Sequence, residues 1–447
     1  MNYRPYPRYK DSGVEWLGEV PEGWEVDRLR FHITTNPAKS ELNGFAGDDP
    51  VSFVPMEAVG EYGGLSLEQV KLLDDVGNGY TYFKDGDVVV AKITPCFENG
   101  KGAIAEGLEN GVGFGTTELH VLRPSDGMNK RFLFYLTISD AFRKIGESYM
   151  YGAGGQKRVP EDFIRDLRHP TPSLSEQLNI ATFLDRKTAE IDALIEKKQK
   201  LIELLQEQRI AIISHAVTKG LNPKARMKDS GVSWLGEVPE HWEVKPLKHL
   251  CDVRGGVTKG RNLEGLETLE LPYLRVANVQ DGHLDLTDVT TIEVPISEVE
   301  RYSLKVGDIL MNEGGDNDKL GRGALWTGEI EPCLHQNHVF AVRPKSIESE
   351  WIALITQSNY AKFYFYQQAK QTTNLASISS TNLKQLPVVL PPEHERQRIL
   401  EHVDRATFLL DRILDGITAG AEKLKEYRTA LISAAVTGKI DVRSATA

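Results

Sequence analysis

The longest regular pattern of apolar and polar positions covers residues 175–216, a stretch of 42 residues without glycine or proline. Small or apolar residues recur there at steps of three, four or seven, with Glu, Lys and Gln between them, which predicts one amphipathic helix. At 1.5 Å per residue this helix would be about 63 Å long. Thr188, Lys198 and Arg209 interrupt the apolar stripe. We therefore expect an imperfect coiled coil that needs a partner helix.

The chain also repeats itself, at an offset of 218 to 221 residues. KDSGVEWLGEVPEGWEV begins at Lys10 and KDSGVSWLGEVPEHWEV at Lys228, FKDGDVV is echoed by LKVGDIL, and VLRP is echoed by AVRP. The long helix has a copy that begins near Pro392 and ends before Gly438. Such self-similarity decides the architecture. The order of the parts is domain, helix, domain, helix.

These repeats divide the chain into four parts. The first domain covers residues 1–172, the central long helix 173–220, the second domain 221–391, and the C-terminal long helix with its tail 392–447. If the two apolar stripes pack on each other, the second helix must run back along the first, so the helices should be antiparallel and the repeats related by a pseudo-two-fold axis. The residues expected to pack between the helices are Leu184, Ile191, Leu205, Ile212, Val403, Leu410, Leu424 and Leu431.

The ends of the central helix carry recognisable signals. Ser173 with Glu176 three residues later forms the pattern of a capping box, which satisfies free backbone N–H groups at a helix start. Gly220 and Gly438 follow the two long helices, and glycine commonly ends a helix in the left-handed conformation. We expect both helices to stop at these glycines.

The first domain is predicted to be mixed α/β. Short β-rich runs such as VSFVPM, DVVVAKI and LHVLRP alternate with Gly, Asn and Asp turns in residues 51–124, which indicates an irregular, barrel-like sheet. Residues 132–145 have the pattern of one amphipathic helix. Trp16 and Trp24 are expected to anchor the N-terminal segment, because large aromatic side chains bury much apolar area.

The two domains agree at their edges and differ in their centres. Between residues 30 and 165, and between 248 and 383, only short echoes can be matched. One architecture that presents two different recognition surfaces would have this pattern. Drift after an old duplication, wherever packing allowed it, would produce the same pattern.

Charge and cysteine content limit the classes of function. The formal net charge is −11, and the acidic excess lies in the two domains. A simple electrostatic nucleic-acid binder has a basic excess, so DNA binding would need local basic loops or a partner that supplies phosphate contacts. The three cysteines have no metal-ligand spacing and no apolar run reaches 18 residues, which is typical of a cytoplasmic protein without a zinc site.

Motifs for catalysis are missing from the sequence. It contains no G-x4-GK[ST] nucleotide loop and no HExxH pair. Asp185, Glu196 and Lys198 imitate the residue order of metal-dependent nucleases, but they fall within one helix, whereas that site requires carboxylates on strands. The pattern favours binding over catalysis, and we expect no catalytic residue, metal or cofactor in this chain.

Loops rich in amides and cations are the candidates for ligand contact. GAGGQKR in the first domain and QTTNLASISSTNL in the second occupy corresponding places, and the second domain adds the polar loop MNEGGDNDKLGRG. Such side chains read base edges or hold phosphates, although solvated surface loops have a similar composition. The candidate DNA-binding residues are Lys92, Asn99, Lys101, Gln156, Lys157, Arg158, Lys259, Asn312, Asn317, Lys319, Arg322, Thr373 and Asn374.

A family resemblance rests on several of these segments together. The two WLGEVPxxW frames, the GDVV and GDIL runs, PYLRVANVQDG, and GAGGQKRVPEDF leading into PTPSLSEQLNIATFLD resemble the specificity subunit of type I restriction-modification systems over nearly the full chain. The resemblance implies two target recognition domains, each for one part of a split DNA target, with the antiparallel helices as a coiled-coil spacer. Gln177 is matched by Arg396, so contacts at the second helix start need not mirror the first.

The resemblance also implies partners. Two methyltransferase (M) subunits would flank this chain on double-stranded DNA, and restriction (R) subunits would join for cleavage. S-adenosylmethionine, ATP and Mg²⁺ would then belong to those subunits, in a prokaryotic cytoplasm. Two alternatives remain open: a coiled-coil scaffold without a DNA role, and a single-chain restriction nuclease or methyltransferase.

Overall fold

The computed structural model describes residues 3–153, 155–315, 320–371 and 376–443. Among these residues, no helix combines the length and the apolar character that crossing a lipid bilayer requires.

The chain divides into two compact units. Residues 1–199 and 419–447 form the first unit, and residues 200–418 form the second. Each unit therefore contains one domain of the repeat together with a part of each long helix.

The first repeat contains twelve described strands, four short α-helices and one long helix. The strands are β1 (Tyr9–Asp11), β2 (Glu19–Pro21), β3 (Glu25–Arg28), β4 (Ile33–Thr35), β5 (Pro50–Val54), β6 (Val70–Leu72), β7 (Thr81–Lys84), β8 (Val88–Ala91), β9 (Gly102–Ile104), β10 (Val112–Gly115), β11 (Leu119–Pro124) and β12 (Arg168–Thr171). The helices are α1 (Leu73–Val76), α2 (Lys130–Thr137), α3 (Asp140–Ser148), α4 (Glu161–Asp166) and α5 (Leu174–Lys219).

The second repeat follows the same order with a different centre. Its described strands are β13 (Met227–Asp229), β14 (Glu237–Pro239), β15 (Glu243–Pro246), β16 (Cys251–Gly255), β17 (Thr268–Leu274), β18 (Thr290–Pro295), β19 (Ile309–Asn312), β20 (Gly314–Gly315), β21 (Gly323–Leu325), β22 (Leu334–His335), β23 (Val339–Pro344), β24 (Lys370–Gln371), β25 (Ala376–Ser377) and β26 (Pro387–Leu390). Its helices are α6 (Val299–Tyr302), α7 (Ser349–Gln357), α8 (Asn359–Gln368), α9 (Ser380–Leu383) and α10 (Glu393–Val436).

Two four-stranded sheets form the body of the first domain, with strand orders β6-β5-β10-β7 and β4-β11-β8-β9. The chain crosses between the two sheets several times, and one crossing is the turn between β7 and β8, where Gly86 has a φ of 94°. The expectation of one barrel-like sheet was therefore wrong. In the second domain the sheet β16-β23-β19-β21 corresponds to β4-β11-β8-β9, and smaller sheets β18-β17-β22 and β20-β25-β24 accompany it.

A buried ion pair explains the short echoes between the two domains. Asp87, at the start of β8, accepts two hydrogen bonds from the Arg123 guanidinium on β11, at 2.7 and 2.8 Å. Asp308 and Arg343 repeat this arrangement next to β19 and on β23, with both bonds at 2.6 Å. The GDVV and VLRP runs, and their copies GDIL and AVRP, therefore contain the two partners of one bidentate contact.

The segment predicted as one helix over residues 132–145 is two helices, α2 and α3. The helical conformation is interrupted at Ser139. Its hydroxyl donates to the Leu136 carbonyl, and the same oxygen caps α3 by accepting from the Phe142 N–H. Serine competes for backbone groups in this way and favours helix starts. Its counterpart Ser358 makes the same bond to Ile355 and caps α8.

The tryptophans of the repeated frame are anchors, as predicted. Trp24 and its counterpart Trp242 are almost fully buried in the cores of their units. Trp16 packs against the first core, and Trp234 stacks against Tyr360. These contacts hold each repeated hairpin on its domain.

The two long helices are antiparallel within each unit. In the first unit, Asp192 on α5 pairs with Arg428 on α10. In the second, Arg209 on α5 pairs with Asp411 on α10 at 3.0 Å. In these pairs a higher residue number on α5 goes with a lower residue number on α10, so the helices run in opposite directions. At the offset of 219, Arg209 matches Arg428 and Asp192 matches Asp411, so the two ion pairs are one contact repeated.

The predicted stripe faces inward along both helices. Leu184, Ile191, Val403, Leu410 and Leu431 are buried, while three further stripe residues are half-buried: Leu205, Ile212 and Leu424. Gly220 and Gly438 end the helices with φ of 73° and 71°, as expected.

The starts of the two long helices join their domains with different chemistry. The Gln177 side chain accepts from the Asn129 N–H at 2.8 Å and donates to two backbone carbonyls. At the corresponding position, Arg396 donates to the carboxylate of Glu348, the counterpart of Asn129, at 2.8 and 3.2 Å. The change at the helix start is matched by a change in its partner.

Only one half of the predicted capping box is present. The hydroxyl of Ser173 accepts from the Glu176 N–H at 3.4 Å. The Glu176 carboxylate, however, accepts from the hydroxyl of Tyr6 at 2.8 Å. That contact ties the N-terminal segment to α5, and sequence spacing alone could not show it.

We expect the buried ion pair of the second domain to be worth more than a surface pair in the same unit. Asp308→Asn should lower the free energy of unfolding by about 3–5 kcal/mol, because it leaves the half-buried guanidinium of Arg343 without its charged partner. Asp252→Asn, which removes the exposed pair with Lys345, should cost about 1 kcal/mol or less. Urea denaturation of both variants measures the difference, and equal losses would contradict it.

The fully buried His169 should make the first unit sensitive to acid. Burial lowers its pKa to about 4, whereas an unfolded histidine titrates near 6.5. The unfolded chain therefore binds the extra proton first, and stability should be full above pH 6.5 and fall by up to about 3 kcal/mol as the pH approaches 4. Urea denaturation between pH 7.5 and 4 measures this slope. His169→Gln should flatten it and exposed His283→Gln should not; an unchanged slope in His169→Gln would refute the assignment.

Candidate nucleic-acid interface

Two loops of the first domain lie side by side. The segment after β8 pairs with the segment before α4, because the Val159 N–H donates to the Lys92 carbonyl at 2.8 Å and the Thr94 N–H donates to the Lys157 carbonyl at 2.9 Å. The structure therefore brings Lys92 next to two candidates that are far from it in sequence, Lys157 and Arg158.

The three cationic candidates of this pair of loops differ in how far their charged groups are free to contact a ligand. Arg158 makes a bidentate contact with Glu118 at 2.8 and 2.9 Å, and this guanidinium holds the pKa of the Glu118 carboxyl below its usual range. Lys157 is exposed, as is the neighbouring amide of Gln156, and Lys92 is half-buried. Of this group, Gln156 and Lys157 present their polar ends most fully to solvent.

Asn99 and Lys101 hold a third loop in place. The Asn99 amide donates to the Glu61 carboxylate at 3.1 Å, and the Lys101 ammonium donates to the Met56 carbonyl at 3.3 Å. Both side chains therefore join the loop of residues 93–101 to that of residues 56–64. In the structure they act as braces between loops.

The second domain pairs its loops in the same manner. The segment after β19 meets the segment after α8, since Gly314 pairs with Ser377 and Gly315 with Ala376. The Ile378 N–H also donates to the Glu313 carbonyl at 2.8 Å. In both domains, the loops that the sequence places in corresponding positions therefore lie next to the end of the equivalent strand, which is β8 in the first domain and β19 in the second.

The candidates of the second domain occupy different settings. Asn312 is buried, and its amide donates to the carbonyls of Val276 and Val279, so it braces the domain interior. Arg322 donates to the Gln280 side chain at 3.2 Å, and Lys259 is exposed on the turn after β16. Four candidates lie outside the described residues: Asn317, Lys319, Thr373 and Asn374.

Sequence reasoning missed one aromatic residue beside the first loop pair. Tyr151 is 65% exposed, and its backbone exchanges hydrogen bonds with Arg158 at 3.2 and 2.9 Å. An exposed aromatic ring among cationic side chains can stack on a base or a sugar. The signal was present as the alternation of Tyr, Gly and basic residues in YMYGAGGQKR.

The arrangement has the chemistry of a recognition surface. Amide, ammonium and phenol groups lie on paired loops at the end of a rigid sheet, and loops on a rigid scaffold commonly carry binding residues. Within the part of the chain that the structure describes, no group of three or more His, Cys, Asp or Glu residues is arranged to hold a metal ion.

Comparison with known proteins agrees with this organisation. The sequence profile of the type I restriction modification DNA specificity domain matches residues 57–204 and 239–419. The specificity subunit of the type I restriction enzyme EcoAI of Escherichia coli is 26% identical, over 97% of this chain and 85% of its own. The MjaVIII specificity subunit of Methanocaldococcus jannaschii is 24% identical, over 98% of both chains.

A solved structure shares the fold. It comes from work on the complex assembly and conformational transition of the type I R-M system, and it aligns with a TM-score of 0.64 at 20% identity, over 94% of this chain and 99% of the other. The two profile matches together cover more than half of the sequence, one match in each repeat. The chain therefore belongs to the family of type I restriction-modification DNA specificity subunits.

Proposed function

We propose that each domain reads one half of a bipartite DNA target and that the chain carries no catalytic site of its own. The observation that carries this proposal is the repeat itself: the same buried ion pair holds equivalent strands in both domains, while the paired loops beyond those strands differ in sequence. A constant frame with different loops is what two readers of different base sequences require, because base contacts specify and the frame only positions them.

The two long helices set the distance between the two halves of the target. Their apolar stripes and repeated ion pairs define one antiparallel register. A helix cannot stretch without losing backbone hydrogen bonds, so its length acts as a ruler. DNA readers that use one face of the duplex must respect its helical repeat of about 34–36 Å.

The outer faces of these helices support docking of two methyltransferase subunits. Six large apolar side chains in the middle parts of α5 and α10 are at least 40% exposed, although helices of this kind usually keep such residues in the packed stripe. They are Leu194, Leu201, Leu204, Phe408, Leu409 and Ile413. Exposed apolar residues in this number favour a partner surface.

Partner subunits also account for the negative charge of the chain. With a net charge of −11, the chain alone lacks the basic excess that most DNA affinity depends on. Methyltransferase subunits that close around the duplex would supply phosphate contacts, and restriction subunits would complete the complex in a prokaryotic cytoplasm. S-adenosylmethionine, ATP and Mg²⁺ would be bound by those subunits. No observation favours a scaffold without a DNA role or a single-chain enzyme.

Lengthening both helices should change target spacing alone. Insertion of one heptad after Lys200 and one after Gly420 preserves the stripe and adds about 10 Å, which is about three base pairs at 3.4 Å each. Methylome sequencing of cells that carry the variant system should show both half-sites unchanged and the gap between them longer. Altered bases at an unchanged gap would refute the ruler, and a wild-type footprint of one uninterrupted block would refute bipartite reading.

Two exposed candidates of the first domain, Gln156 and Lys157, should have separable effects on DNA binding by the assembled complex. Lys157→Ala should weaken binding to all sequences and reduce the salt dependence by about one counterion, as loss of a phosphate contact does. Gln156→Ala should relax the preference at one base position by about 1–3 kcal/mol. Lys10→Ala, an exposed lysine on β1, is the control. If Lys157→Ala and Lys10→Ala bind alike, Lys157 is not in the interface.

A further inference from the structure

The helices α2 and α7 correspond residue by residue at the offset of 219. The Thr137 hydroxyl donates to the carbonyl of Phe134, and the Thr356 hydroxyl donates to that of Ala353, in both cases three residues back. Each helix packs on the long helices of its own unit. A position on α2 can therefore be compared directly with its counterpart on α7.

In the first unit, Tyr135 on α2 bridges to α5. Its hydroxyl donates to the Asp185 carboxylate at 2.8 Å and lies 3.3 Å from the Thr188 hydroxyl. Burial raises the pKa of Tyr135, so the phenol stays protonated and can donate. The Phe134 ring packs beside it, and Arg131 adds an ion pair to Asp185 at 2.9 Å. Two neighbouring aromatic rings therefore stand at this place on α2, and that of Tyr135 contacts α5.

In the second unit both rings are missing. Ala353 replaces Phe134 and Leu354 replaces Tyr135, and a cavity of about 450 Å³ that is open to solvent lies at this place. Ala353, Leu354 and Val403 belong to its apolar lining. Asp404 and Thr407, the counterparts of the residues that receive the Tyr135 hydroxyl, still line it. The polar partners of a phenol are therefore present without the phenol.

The charge of this cavity also differs from that of its counterpart. Glu350 stands where the first unit has Arg131, and Glu401 adds another carboxylate to that of Asp404. Arg209, the lining cation, is engaged by Asp411 at 3.0 Å and by Gln357 at 3.1 Å. Among the described residues, none of the three lining carboxylates has an ion-pair partner within 4.0 Å. A cation that enters the cavity would have a favourable place there.

We propose that this cavity binds a small aromatic amine that carries a phenol hydroxyl. The ring occupies the space that Phe134 and Tyr135 fill in the first unit, the hydroxyl donates to Asp404, and the ammonium lies against Glu350. A volume of about 450 Å³ is within the range of about 300–1,000 Å³ typical of small-molecule sites. The bound molecule joins α7 to α10, as Tyr135 joins α2 to α5. This site is independent of DNA reading.

The probe for this site is tyramine, titrated into the intact chain by calorimetry. We expect saturable binding of one molecule per chain, and an increase in the melting temperature with tyramine concentration. Asp404→Asn should weaken binding about tenfold or more, because it removes the charged acceptor of the hydroxyl. Glu350→Gln should weaken tyramine but leave phenol itself unaffected, since phenol carries no ammonium. The absence of saturable binding to the folded wild-type chain at millimolar tyramine would overturn the proposal.

Filling the cavity provides the decisive variants. Leu354→Tyr restores the ring of the first unit and should abolish tyramine binding while raising the melting temperature. Leu266→Tyr makes the same exchange at a residue of the second unit that is 54% exposed, and it should bind as the wild type does. In the opposite direction, Phe134→Ala and Tyr135→Leu combined with Arg131→Glu, which supplies the counterpart of Glu350, should open a matching pocket and raise the stoichiometry to two. Binding that persists unchanged in Leu354→Tyr would show that tyramine lies elsewhere and would refute the site.

Discussion

The register of the two antiparallel helices is the constraint on which the rest of the structure depends. An apolar stripe alone allows one helix to slide along the other by a turn of about 5.4 Å with similar packing. The repeated pair of Asp192 with Arg428, and of Arg209 with Asp411, removes that freedom. The Arg428 side chain is only 14% exposed, so a shift by one turn would leave a half-buried guanidinium without its carboxylate. The interruptions of the stripe therefore determine the register that a perfect stripe would leave open.

Features that depend on local chemistry could be predicted from the sequence. The length and direction of α5 and α10, their ends at Gly220 and Gly438, and the anchoring of the tryptophans all follow from periodicity, backbone conformation or side-chain size. The duplicated echoes predicted two domains of one architecture. Each of these inferences needs only a short window of sequence and its copy.

Features that depend on long-range contacts could not be predicted. One local feature was also missed: the break between α2 and α3 follows from Ser139 bonding to backbone groups three residues away, which an apolar pattern does not register. The sequence also could not separate Lys157, which is exposed, from Arg158, which Glu118 holds in a bidentate contact across the loop pair. The sequence suggested that the Asn312 amide is free to contact a ligand, but its N–H groups donate to two backbone carbonyls of another loop. Composition identifies the side chains that can bind a ligand, and packing decides which of them are already engaged in contacts within the protein.

The comparison of the two repeats distinguishes substitutions that preserve a structural contact from substitutions that do not. Where Gln177 becomes Arg396, Asn129 becomes Glu348, and the new pair restores the contact between helix start and domain. Such a compensated change keeps the structure and says nothing about function. The change from Phe134 and Tyr135 to Ala353 and Leu354 has no compensation: the polar partners stay, the lining gains carboxylates and the volume stays open. Packing alone does not account for this exchange, because the acceptors of a phenol remain beside an open pocket that no side chain in the described part of the chain fills.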